Sequence, residues 1–275
     1  MAEEPAILGK LPVLSLPEDH ACIASRNYGC RVTTTTISRE QHDEARQLFD
    51  GAGEAGARIK LLLEDYRNLQ GSFNKLVSIE MFEAVGLDYY DAFFSTCDRL
   101  LTTDGCMAMQ VITMSEHRFD AYSKQSDWIQ RRIFPGAQLA SVRQILNSLV
   151  RSTRLSLYNV EDIGLQYAYT LAEWRRRFHE SIEEVRALGF DEAFCRMCDY
   201  YLAFCEGAFR ERHISAVQLM LIKNANAAIL PGEPWKHKGE GEVLAASELM
   251  PGHLEMGQQL QMIKKPWQPR VRWTG

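Results

Sequence analysis

Cys30-Arg31-Val32-Thr33-Thr34-Thr35-Thr36-Ile37-Ser38 decides the fold. The run from Val32 to Ile37 is β-branched throughout, and such side chains pack well on a pleated surface while losing rotamer freedom in a helix. The stretch from Cys30 to Ile37 reads as a strand. Ser38, with Gln41 three residues on, makes a capping box for a helix running toward Phe49, and the glycines at 51, 53 and 56 end it. A strand that passes directly into a helix opens a βα repeat. Ile59 to Leu63 reads as the second strand and Leu76-Val77-Ser78-Ile79 as the third. Their apolarity is continuous rather than alternating, which suits strands covered on both faces, so the sheet is expected to be mostly parallel.

Tyr90, Phe93, Phe94, Cys97, Leu100 and Leu101 recur at helical spacing until Asp104-Gly105, after which Met107 to Ile112 reads as a fourth strand. Tyr122 to Phe134 and Ser141 to Val150 read as helices, and Leu155 to Val160 as a strand. Tyr167, Leu171, Trp174, Phe178 and Ile182 mark one face of a long helix; Asp191 to Phe209 makes another. Val217, Leu219 and Leu221 alternate as a final strand. Toward the N-terminus, Val13 to Leu16 is a candidate strand ahead of a helix-like stretch from His20 to Asn27. The expected organisation is an atypical N-terminal segment over 1–19, one domain over 20–222, and a loosely ordered, proline-punctuated tail over 223–275.

The 275 residues are 46% hydrophobic, enough for a sizeable core, and the net charge of -5 gives no global attraction to nucleic acid or an anionic bilayer. No nucleic-acid partner is therefore expected. Met1 to Lys10 lacks a basic stretch followed by a long apolar run, so an intracellular, cytoplasmic setting is expected, with any membrane contact peripheral. Of the seven cysteines only Cys195-x-x-Cys198 has metal-like spacing. It sits within an aromatic helical pattern with Phe194, Tyr201 and Phe204, which argues for packing, and no metal is assigned.

Six stretches carry a further pattern. Val32-Thr33 through Ile37-Ser38-x-x-Gln41 is followed by Leu63-Glu64-Asp65-Tyr66, and then by Ser78-Ile79-Glu80-Met81-Phe82-Glu83-Ala84-Val85-Gly86. Next come Asp127-Trp128-Ile129-Gln130-Arg131-Arg132-Ile133-Phe134-Pro135-Gly136, Tyr167-x-x-Thr170-Leu171-x-x-Trp174 and Gly207-Ala208-Phe209-Arg210-Glu211-Arg212. In this order the motifs resemble the cyclopropane fatty acid synthase family, over about residues 20 to 222. The resemblance implies an α/β fold, a Rossmann-like methyltransferase sheet with helices on both faces. It implies methylene transfer from S-adenosylmethionine to the cis double bond of a phospholipid acyl chain at a membrane surface, with bicarbonate as the base. A homodimer is among the assemblies it implies.

By motif position, the resemblance gives the base site to Glu83, Gln110, the backbone of Ile112, and Tyr167. It gives the cofactor to Thr36, Ile37, Gln41, Asp65 and Tyr66. Each has a plainer role open to it. Glu83 can cap a helix, Tyr167 can be core, and Gln41 belongs to the capping box. Gln110 stands where many family members carry histidine; it offers both a donor and an acceptor and does not titrate. Glu80 and the run Arg175-Arg176-Arg177 read as structural and solvated.

One part of the pattern is missing. A sheet of this kind places a Gly-x-Gly turn after its first strand, because only glycine lets the backbone approach a cofactor closely. Here no glycine falls between Gly9 and Gly29. The first strand and glycine loop are expected to be degenerate or missing. The chain then reads either as an N-terminally truncated family member or as one that has lost catalysis and serves as a binding subunit.

Overall fold

The computed structural model describes residues 10–14 and 18–226, with side chains from His20 onward. The chain opens with β1 (Lys10–Leu14) and α1 (Glu18–Tyr28), then β2 (Arg31–Thr36), α2 (Arg39–Gly51), α3 (Glu54–Ala57) and β3 (Ile59–Leu63). The strand expected over 13–16 thus begins earlier, and its last two residues lie outside the described ones. A first strand is present. It lies between β2 and β4 (Phe73–Ile79), parallel to both. The turn after it, Ser15-Leu16-Pro17, is glycine-free in sequence and also lies outside the described residues, as does the tail beyond 226.

α4 (Tyr90–Leu100) runs without a turn into β5 (Leu101–Met114). Asp104 and Gly105, read from the sequence as the helix stop, are instead strand residues beside the irregularity between Phe73 and Lys75. The single helix expected over 122–134 is two short ones, α5 (Glu116–Tyr122) and α6 (Trp128–Arg132). Asp127 breaks it: its carboxylate accepts from Gln130 N–H (2.8 Å) while Gln130 Oε1 accepts from Asp127 N–H (2.9 Å), a complete capping box that starts a new helix. α7 (Val142–Ser152), β6 (Leu155–Asp162), α8 (Gly164–Glu180), α9 (Ile182–Ala187), α10 (Glu192–Arg210) and β7 (Ile214–Lys223) follow.

Among the described residues, seven strands run in the order β3-β2-β1-β4-β5-β7-β6. β7 is antiparallel to both its neighbours; the other ladders are parallel. Successive residues of a strand face opposite sides, and β4 shows both. Leu76 joins a core with Phe82, Phe93, Phe94, Ile145 and Leu149, covered by α4 and α7. Val77 packs with Ala21, Val32, Ala45 and Phe49 beneath α1 and α2. Val111 and Val217 belong to the first face, Ile112 and Ala216 to the second, where α8 and α10 cover the sheet. Cys195 and Cys198 are buried with Phe178, Val185 and Phe190.

Candidate active site

In a parallel sheet, ligands bind beyond the carboxyl ends of the strands. β4 ends at Ile79, and Glu80 follows it with φ +50. That left-handed conformation suits glycine and costs another residue on the order of 1 kcal/mol. It is held by a main-chain bond from Glu80 N–H to the Gln110 carbonyl at 2.9 Å. The side chains repeat the pairing, with Gln110 Nε2 donating to Glu80 Oε1 at 2.8 Å. The Tyr167 hydroxyl, from the first turns of α8, donates to the same oxygen.

Gln110 is oriented from both ends. Its neighbour across the β5–β7 ladder is Gln218, whose Nε2 donates to Gln110 Oε1 at 2.9 Å. Since an ionised carboxylate only accepts, the amide must turn its nitrogen to Glu80. Gln218, Gln110, Glu80 and Tyr167 form one polar chain on the face covered by α8 and α10. The Glu80 side chain is half-buried rather than solvated, which corrects its sequence reading. Its position directly after an apolar strand was the available signal; for Gln218 the signal was one polar residue inside the alternating Val217, Leu219 pattern.

Glu83 lies in a short 3-10 turn, Phe82–Ala84, and is buried. Its Oε1 accepts from Ile112 N–H at 2.6 Å, while Oε2 is buried without a hydrogen-bond partner among the described residues. Burial pushes its carboxyl up to about 8, against the stabilising Ile112 N–H and with a further push from Glu80 nearby. Glu83 is therefore mostly a neutral acid at pH 7. Burial also drives the Tyr167 hydroxyl well above its ordinary value, with the Glu80 charge adding to the effect. The Tyr167 ring stacks on Phe209 at 4.9 Å.

The candidate cofactor residues lie at the ends of β2 and β3. Thr36 Oγ1 donates to Gln41 Oε1 at 2.7 Å and accepts from Ser38 N–H at 3.1 Å. Ser38 Oγ accepts from Gln41 N–H, so half of the expected capping box forms; the Gln41 side chain turns to Thr36. Ile37 is 73% exposed. Asp65 accepts three bonds from Arg67, which holds its carboxyl below the usual carboxylate range. Tyr66 sits edge-on to Phe93 at 5.6 Å, its hydroxyl pushed up to about 12 by burial.

A family model described as mycolic acid cyclopropane synthetase matches residues 19–219. The chain belongs to that family. It is 37% identical over 202 residues to the tuberculostearic acid methyltransferase UfaA1 of Mycobacterium tuberculosis, covering 74% of this chain and 47% of the relative. It is 36% identical over 199 residues to the cyclopropane-fatty-acyl-phospholipid synthase of Escherichia coli K12, covering 70% and 48%. The chain spans about half the length of these curated relatives. Among solved structures, the mycolic acid cyclopropane synthase CmaA1 complexed with SAH and CTAB superposes with a TM-score of 0.70 at 25% identity, over 79% of this chain and 80% of that one. The α/β methyltransferase sheet expected from the sequence is the fold observed.

S-adenosylmethionine fits the described residues in part. The end of β2 offers the Gln41 amide nitrogen, and the end of β3 offers the Tyr66 ring, while Asp65 is largely taken up by Arg67. Bicarbonate does not fit. Of the donors that the resemblance gives it, Tyr167 O–H and one Gln110 amide hydrogen are spent on Glu80, and Ile112 N–H on Glu83. A second anion there would meet the Glu80 carboxylate, with one Gln110 amide hydrogen and the proton of the neutral Glu83 carboxyl left to hold it.

Proposed function

We propose that this chain is an S-adenosylmethionine-dependent carbon methyltransferase acting on the cis double bond of a phospholipid acyl chain, in the manner of a cyclopropane fatty acid synthase. The observation that carries the reading is the cluster of Glu80, Glu83, Gln110 and Tyr167 at the carboxyl ends of β4 and β5. Gln41 and Tyr66 would hold the cofactor, which when bound supplies an electrophilic methyl group to the alkene. Charge then develops on the acyl chain. Tyr167, stacked on Phe209, and Tyr201, close enough to sense the Glu80 charge, give that charge aromatic faces and exclude water. A carboxyl group at the cluster removes the proton whose loss closes the ring.

An exposed aromatic surface supports contact with lipid. Trp128 on α6 lies 4.7 Å from Tyr200 on α10, and the two line a groove of about 520 Å³ with Arg132, Arg196 and Met197. Rings and guanidinium groups together suit the boundary between acyl chains and phosphate headgroups. No helix among the described residues is long and apolar enough to cross a membrane.

The glycine-free connection after β1 favours a second reading, a binding subunit without catalysis. The test incubates the 275-residue chain with vesicles of cis-monounsaturated phospholipid and methyl-labelled S-adenosylmethionine. Label in a cyclopropane ring supports the first reading. Vesicle binding without label transfer supports the second.

A further inference from the structure

We propose that the Glu80 carboxylate is itself the base of this site, built into the chain where an external anion would otherwise be held. The inference rests on the methyltransferase reading above and names the group that takes the proton. Three observations carry it. Glu80 Oε1 receives both donors, the Gln110 amide and the Tyr167 hydroxyl, that would orient a bound anion. Its Oε2 accepts no hydrogen bond from any described residue, so one oxygen is anchored and the other is available. The backbone accepts a left-handed φ of +50 to put this side chain there, and unforced strain in a non-glycine residue marks a position held for what it does.

The neighbouring Glu83 divides the work. Its Oε1 is committed to the Ile112 N–H and its side chain is buried, so it stays a neutral acid while Glu80 remains open to a ligand. The step balances without a co-reactant. The C–H bond of the added methyl breaks, its electron pair closes the third side of the ring, and Oε2 of Glu80 takes the proton, which passes to water before the next turnover. Gln110 cannot titrate and acts as a positioning residue, itself held by Gln218.

The experiment compares the full chain with Glu80→Gln and Glu80→Gly, in bicarbonate-free buffer and with bicarbonate added, using the labelled-vesicle assay. Wild-type turnover should be indifferent to bicarbonate. Glu80→Gln should lose about 10²- to 10⁴-fold, the usual worth of a general base. Glu80→Gly relieves the strain and vacates the donors, so bicarbonate should restore its turnover; a merely structural role would give no such rescue. Carbon-13 bicarbonate, titrated and followed by line width, should broaden with Glu80→Gly and stay sharp with wild type, a readout that needs no turnover. Wild-type product that depends on bicarbonate, undiminished turnover of Glu80→Gln, or broadening by wild type would overturn the proposal. Absence of product from wild type in both buffers would instead sink the methyltransferase reading, and this proposal with it.

Discussion

Replacing Glu83 by glutamine should make the protein more stable at pH 8 than the wild type, by an amount that grows with pH. The Glu83 carboxyl is buried and pushed from its ordinary 4.5 up to about 8. The folded chain therefore holds a proton that the unfolded chain has released throughout that window. Stability falls with rising pH wherever the native state binds more protons than the unfolded one. Each pH unit in the window costs about 1.4 kcal/mol, so the whole of it is worth about 5 kcal/mol. Glutamine keeps an oxygen for Ile112 N–H and carries no charge. Its amide nitrogen brings one more donor without an acceptor than the protonated carboxyl has where Oε2 now sits, which costs about 1–3 kcal/mol at every pH. The variant should then be the less stable protein at pH 4 and the more stable one at pH 8. The assay is urea unfolding of both proteins at half-unit steps from pH 4 to 9. Parallel stability curves between pH 5 and 8 would show that Glu83 ionises normally and that its burial is misread. The affinity for S-adenosylmethionine, followed by calorimetry, should stay nearly unchanged, because Glu83 sits after β4 against Ile112 and not among the candidate cofactor residues that follow β2 and β3.

Calorimetry on the wild-type chain should give a dissociation constant for S-adenosylmethionine weaker than about 1 µM, or about -8 kcal/mol, since no glycine follows β1; tighter binding would mean that another backbone path reaches the cofactor. Gly56→Ala should fall at the upper end of the roughly 1–3 kcal/mol cost of overpacking, because an added Cβ would lie 1.9 Å from the Phe49 carbonyl oxygen; an unchanged Tm would contradict that packing. Phe82→Ala should cost about 3–5 kcal/mol, because the ring is fully buried against Tyr90, Phe93 and Phe94, and urea unfolding measures it.

β2 was legible from its β-branched run, and β3 and β4 because covered strands are continuously apolar; β2 and β3 fall within a residue of their expected ends. β1 was harder: Pro12 interrupts it, and its place in the sheet comes from pairing with β2 and β4, a non-local fact. The helix expected over 122–134 failed although the signal was local: Ser123 to Asp127 is wholly polar, and Asp127 with Gln130 three residues on is a capping-box pattern that starts a new helix. At the candidate site, the motif order pointed to Glu83, Gln110, Ile112 and Tyr167, and the structure joins them as two pairs, Gln110 with Tyr167 on Glu80 and Ile112 on Glu83. Glu80 was passed over because a glutamate after a strand usually points to water. Its neighbours in space, Gln110 and Tyr167, stand 30 and 87 residues away along the chain, a separation that no local pattern encodes.

The position of β7 has a consequence for biogenesis. Among the described residues, β7 is the last strand to leave the ribosome, and it is seated between β5 and β6, pairing with both. Until residues 214–223 have been synthesised, the edges of β5 and β6 that it will occupy stay unpaired, and unpaired edges recruit other chains. Gln218, which orients the site through Gln110, arrives on that same strand. A nascent chain stalled before β7 is thus both sticky and without its polar relay, and completion of the sheet and completion of the site are one event.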